Sequence, residues 1–166
     1  DLIVSVDEGI PEFVISDKVR LNQVLINLVN NAIKFTKKGG VELKVILASS
    51  KESQVEVAFE IIDTGIGIKE NELKTIFDRF VQLENFSTKK HQGTGLGLSI
   101  SKSIISMFGG DLMVESEFGV GTKFSFRILF NKTDDKDLGE KTQESFKELR
   151  GKRILLVEDS ELNQVI

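Results

Sequence analysis

Asn27 and Asn31 stand one helical turn apart in a stretch whose apolar residues recur at spacings of three and four, so both amides share one helix face, with Lys34 and Phe35 close by. An amide carbonyl is a hard oxygen donor for a divalent cation, and an ammonium answers a phosphate. The trio therefore suits a polyanion, although capping or solvated asparagines would look the same. Asp63-x-Gly65-x-Gly67 closes an apolar strand. A strand-end carboxylate can accept a hydrogen bond from an exocyclic amine while glycines let a flat ring approach the backbone. The other reading is a plain turn closed by an Asx bond. Gly93-Thr94-Gly95-Leu96-Gly97-Leu98-Ser99 opens a helix, where free N–H groups and the positive end of the dipole would face an anion. A hinge without a ligand is the alternative. No Gly-Lys-Ser/Thr follows, and the glycines run G-x-G-x-G, so neither a P-loop nor the dinucleotide fingerprint fits. Phe77 and Phe80, three residues apart, are expected to pack into the core. His91 lies beside Lys89 and Lys90 with nothing near it that resembles an activated nucleophile.

The elements that must position these residues follow from periodicity and punctuation. Residues 2–6 and 13–15 read as strands around the turn Asp7-Glu8-Gly9. Ser16-Asp17 form an N-cap. Val19, Leu21, Val24, Leu25, Leu28, Val29, Ala32 and Ile33 then trace an amphipathic helix of about five turns, ended by Lys37-Lys38-Gly39-Gly40. Residues 41–48 and 55–62 read as a hairpin. A short helix is expected at about 70–80, a mobile polar loop over 81–95 and a helix at about 96–108, stopped by Gly109-Gly110. Two strands, Asp111 to Glu115 and Thr122 to Phe130, follow. Residues 131–151 carry five basic and six acidic side chains and read as a linker. Lys152-Arg153-Ile154-Leu155-Leu156-Val157-Glu158-Asp159 is a new apolar strand ending in acids, the opening of a second domain.

Composition narrows the function classes. The chain has 166 residues, room for one domain and a remainder. It is 40% hydrophobic and 29% charged, a globular balance. With 22 basic and 26 acidic residues the net charge is −4, which argues against nucleic acid or an anionic membrane as partner. There is no cysteine, which excludes disulfides, thiolate metal sites and a cysteine nucleophile, and the single histidine is too few for a multi-histidine metal site. No apolar run reaches the roughly 20 residues of a membrane span, and the N-terminus does not read as a signal peptide.

In their order along the chain, Asn27-x-x-x-Asn31-x-x-Lys34-Phe35, Asp63-x-Gly65-x-Gly67, Phe77-x-x-Phe80 and Gly93-x-Gly95-x-Gly97 closely resemble the catalytic, ATP-binding domain of sensor histidine kinases, in the superfamily shared with DNA gyrase, MutL and a heat-shock chaperone. The resemblance runs from residue 1 to about 130 and includes Met107-Phe108-Gly109-Gly110 and Gly119-Val120-Gly121-Thr122-Lys123-Phe124. It implies an α/β two-layer sandwich, a mixed sheet of about five strands with three helices on one face. It implies Mg²⁺ on Asn31 with Asn27 assisting, Lys34 on phosphate, Phe35 flanking the nucleotide and Asp63 on the adenine amine. Gly65 and Gly67 would lie under the ring, with Ile68, Phe80 and Thr122 near it. Gly93, Thr94, Gly95, Leu96, Gly97 and Leu98 would border the triphosphate, within a lid from Val81 to Gly95. Relatives often carry Arg shortly after the second Phe, where Gln82 stands here, and the lid cation is left between Lys90 and His91.

The same resemblance implies an ATP-dependent protein histidine kinase in a two-component phosphorelay. Hydrolysing relatives place a Glu one turn before the metal-binding Asn. Here that place is Asn27, and an amide cannot accept a proton near neutral pH, so slow turnover is expected. The acceptor histidine would come from a dimerisation domain preceding residue 1. The tail from Ile154 to Ser160 looks like the first strand of a receiver domain, giving a hybrid kinase with domains at 1–130 and 152–166. That truncated receiver is expected not to fold alone. A nucleotide-sensing module without transfer, and a serine kinase of the anti-sigma-factor type, are the alternatives. The fragment is expected in the cytoplasm, without direct membrane contact.

Overall fold

The computed structural model describes residues 1–81 and 94–133. Of the linker expected over 131–151, Asn131 and Lys132 instead continue the last strand; residues 134–151, the receiver start at 152–166 and most of the expected lid lie outside the described residues.

Among the described residues nine elements follow in order: β1 (Leu2–Val6), β2 (Val14–Ile15), α1 (Lys18–Phe35), β3 (Val41–Ser50), β4 (Gln54–Asp63), α2 (Glu70–Leu73), α3 (Gly97–Met107), β5 (Met113–Glu117) and β6 (Gly121–Lys132). The sheet is six-stranded and mixed, ordered β1-β3-β4-β6-β2, with β5 also on β6. This is the expected α/β two-layer fold, with the helices packed on one face. The expected hairpin is the antiparallel β3–β4 pair. The first two strands do not pair with each other. β1 runs parallel to β3, whereas β2 pairs with the far end of β6. The twelve-residue β6 serves both neighbours on its outer edge, β5 at its start and β2 at its finish. The helix expected over 70–80 is shorter, ending at Leu73.

Alternation in β4 and β6 explains where the site lies. Val55, Val57, Phe59 and Ile61 point to one face of β4 and are buried; Phe124, Phe126, Ile128 and Phe130 do the same on β6. The antiparallel register sets the two rows side by side, with the Phe59 and Phe126 rings stacked at 4.8 Å. Burying each such side chain contributes about 1.5–3 kcal/mol. The rows end in two polar residues that keep the inward direction, Asp63 and Thr122, paired with each other and each 7% exposed.

α1 covers this core with Val24, Leu28 and Ala32, and α3 with Ile104 and Ile105. Asp17 caps α1 by accepting the Arg20 N–H, 3.0 Å. The helix layer stops short of β1. Leu2, Val4 and Val6 continue the inward row of β3 yet are more than half exposed.

Candidate functional site

The flank of α1 beside its buried stripe carries Asn27 and Asn31. Asn27 faces α3, where its Nδ2 donates to Ser101 Oγ at 2.9 Å. Ser101 is 1% exposed and lies in the buried row of α3 with Ile105. The other end of the Asn27 amide abuts Gly97, the first residue of α3. A β-carbon there would run into Asn27 Oδ1, so only glycine lets the helix N-terminus come this close. Leu96 at the N-cap of α3 offers no side-chain cap, and a helix N-terminus presents first-turn N–H groups suited to an anion. Asn31 is partly buried, and its side chain makes no hydrogen bond to another described residue. Lys34 is exposed, its Nζ 5.0 Å from the centre of the Phe35 ring.

The C-terminal end of α1 meets the glycine turn: Ile66 N–H donates to the Phe35 carbonyl at 3.4 Å. Asp63 Oδ1 accepts the Gly65 N–H at 2.8 Å, which is the Asx bond that the sequence left as one alternative. The carboxylate is therefore both turn-closing and inward-facing. Burial holds its pKa above the ordinary 3.8, opposed by the backbone N–H groups of Gly65 and Thr122. Gly67 has φ +66, and a side chain there would strike the Glu117 carbonyl. Its glycine is thus required by β5 within the protein itself, independently of any ring.

Behind the turn, Ile68 N–H donates to Ser116 Oγ at 2.8 Å, and Ser116 Oγ donates to the Gly121 carbonyl at 2.8 Å. The Thr122 hydroxyl is 3.0 Å from the same oxygen. Ile68 and Leu98 pack against the core from its rim. Asn27, Asn31, Phe35, Asp63, Gly65, Ile68, Leu96, Gly97, Leu98 and Thr122 thus sit on elements joined by direct contacts.

The phenylalanine pair divides. Phe77 packs edge-on against Phe124, with Lys102 Nζ 4.8 Å above it, as expected of a core residue. Phe80 departs from that expectation: it is 71% exposed, with φ 65. Its N–H is held by the Gly95 carbonyl at 3.0 Å, which turns the chain and swings the ring outward. Thr94 is exposed. Lys90, His91 and Gly93 lie outside the described residues. Ser101 and Ser116 were missed by the motif reading, although each carries a hydroxyl on a row otherwise apolar and inward-facing.

Among the described residues no group of three or more His, Asp or Glu gathers to hold a metal. A cation here would rest on the amide oxygens of α1 together with ligand phosphates, the donor set Mg²⁺ accepts. No helix among the described residues is long and apolar enough to cross a membrane.

The family model described as "Histidine kinase-, DNA gyrase B-, and HSP90-like ATPase" matches residues 16–132. Hybrid signal transduction histidine kinase B of Dictyostelium discoideum is 44% identical over 128 residues, 77% of this chain and 6% of that protein. Autoinducer 2 sensor kinase/phosphatase LuxQ of Vibrio cholerae is 36% identical over 172 residues, 100% of this chain and 20% of that protein. The chain therefore spans a small part of these relatives' length. Full-length ShkA, solved in complex with AMPPNP, superposes with a TM-score of 0.66 at 33% identity, over 80% of this chain and 26% of that one. The catalytic domain of histidine kinase ThkA, nucleotide-free, gives 0.58 at 32%, covering 81% of each.

Proposed function

Because the chain belongs to the histidine kinase-, DNA gyrase B- and HSP90-like ATPase family, we propose that it binds Mg²⁺-ATP and transfers the γ-phosphate to a histidine on a separate helical dimerisation domain, as a step of two-component phosphorelay signalling. Asp63 accepts the adenine amine, with Thr122 beside it. Phe35 flanks the base, Lys34 swings from its ring to phosphate, and the uncapped start of α3 receives the triphosphate. Asn31, with Asn27 Oδ1 assisting, holds Mg²⁺, which neutralises phosphate charge when bound. Lys90 or His91 adds the lid cation.

The observation that carries transfer over hydrolysis is the amide of Asn27. It stands where a water-activating acid would have to be, fixed by Ser101 on one side and Gly97 on the other, and it accepts no proton. A neutral imidazole needs no such base. Its nitrogen lone pair forms the N–P bond as the bond to the β,γ-bridging oxygen breaks, ADP departs, and the proton on the ring's other nitrogen is released to solvent. The protein's contribution is positioning and charge neutralisation.

In this reading the parent is a hybrid kinase working in the cytoplasm, with a receiver domain in cis beginning near residue 152. The similarity to hybrid kinase B supports that layout. Calorimetry with ADP and Mg²⁺, followed by radiolabelled ATP with and without an added histidine-bearing helical domain, tests it. Expected are binding, little phosphate release, and label on the added domain. Rapid phosphate release by the chain alone would refute it.

A further inference from the structure

The hydroxyl of Ser116 has one proton and two lone pairs, and all three are committed. The proton goes to the Gly121 carbonyl, which can only accept, and one lone pair takes the Ile68 N–H. The remaining contact, 3.0 Å to Thr122 Oγ1, must then be made with Thr122 as donor. The Thr122 proton is thereby turned away from Asp63's side of the pair, and the threonine oxygen presents only lone pairs. Asp63, its cross-strand partner on the same inward face, also presents only lone pairs.

We propose that Ser116 is a positioning residue that fixes Thr122 as an acceptor, so that the Asp63–Thr122 pair selects a purine bearing an amine over one bearing an oxo group at the same place. This rests on the reading of Asp63 as the base contact. Two acceptors side by side match the two N–H bonds of an exocyclic amine. An oxo group would meet lone pairs from both residues, each of them only 7% exposed, in place of the two N–H bonds.

ADP and IDP share ribose and phosphates and differ at that position and at the adjoining ring nitrogen, which carries a proton only in IDP, so the effect is read as the change in their affinity ratio between wild type and variant. The wild-type chain is expected to prefer ADP. Ser116→Ala frees the Thr122 proton to turn toward the ligand, and the ADP/IDP ratio should fall at least tenfold. Ser116→Thr keeps a hydroxyl and should restore the ratio. In a Thr122→Val background, Ser116→Ala should leave the ratio unchanged, because the atom it acts on is gone. If Ser116→Ala weakens ADP and IDP by the same factor, Ser116 only braces the loop and the inference is wrong, while the nucleotide reading stands. If the wild type binds ADP and IDP equally, the Asp63 assignment itself fails. Should Ser116→Ala not fold, Thr122→Val alone decides: its ratio must drop, and an unchanged ratio overturns the proposal.

Discussion

Asp63→Asn separates the two roles the structure gives this residue. Asparagine keeps Oδ1, so the Gly65 N–H at 2.8 Å retains its acceptor and the turn should persist. The Nδ2 group is a donor, and it would meet the adenine amine donor to donor. A hydrogen bond to a charged group contributes about 1.5–3 kcal/mol, so ADP affinity should fall about tenfold to a hundredfold. Stability should move the other way. Burial raises the folded-state pKa of Asp63 above its ordinary 3.8. Such a group favours the fold below the unfolded pKa, and that support is lost as pH rises through the folded value. The uncharged variant lacks this loss. It should therefore match or exceed wild-type stability at pH 7, with the advantage shrinking toward pH 4. Calorimetry with ADP and urea unfolding at both pH values measure the two effects. An Asn variant that binds ADP like the wild type would refute the base contact. One that is clearly less stable at pH 7 would refute the burial argument.

Gly97→Ala pushes a β-carbon into Asn27 Oδ1. Overpacking of about 1–3 kcal/mol should lower the unfolding midpoint and weaken ADP binding together, read by urea unfolding and calorimetry. Asn27→Glu introduces a proton acceptor beside the proposed phosphate site, and phosphate release should rise about tenfold or more in a coupled assay. Leu28→Ala, at a fully buried position on α1, should cost about 2–5 kcal/mol in urea unfolding.

Much of this was legible before the structure because period and punctuation are local. Val24, Leu28 and Ala32 mark the buried stripe of α1 by spacing alone, and Asp17 caps it as its type suggests. Pairing is not local. Nothing within Leu2–Val6 or Val14–Ile15 says that one joins β3 and the other β6. The motif residues were recognisable, but not the reason for each. Gly67 reads as room for a ring and is in fact required by the Glu117 carbonyl. Phe80 shares a helical spacing with Phe77, yet the helix ends at Leu73 and the ring turns outward. Ser116 and Ser101 belong to no motif. Their signal was subtler: Ser116 follows Val114 by two in a strand, and Ser101 precedes Ile105 by four in a helix. A hydroxyl on an inward row must find a partner, and those two partners tie the site together.

The central claim is that this site moves phosphate to histidine instead of to water, and one measurement tests it most directly. The chain is incubated with Mg²⁺ and γ-labelled ATP, with the helical domain carrying its histidine or with that histidine replaced by glutamine. Label on the histidine form alone, acid-labile and lost with Asn31→Ala while ADP release without the acceptor stays slow, is the predicted result. Equal ADP release with either form, and no label on protein, would contradict the account.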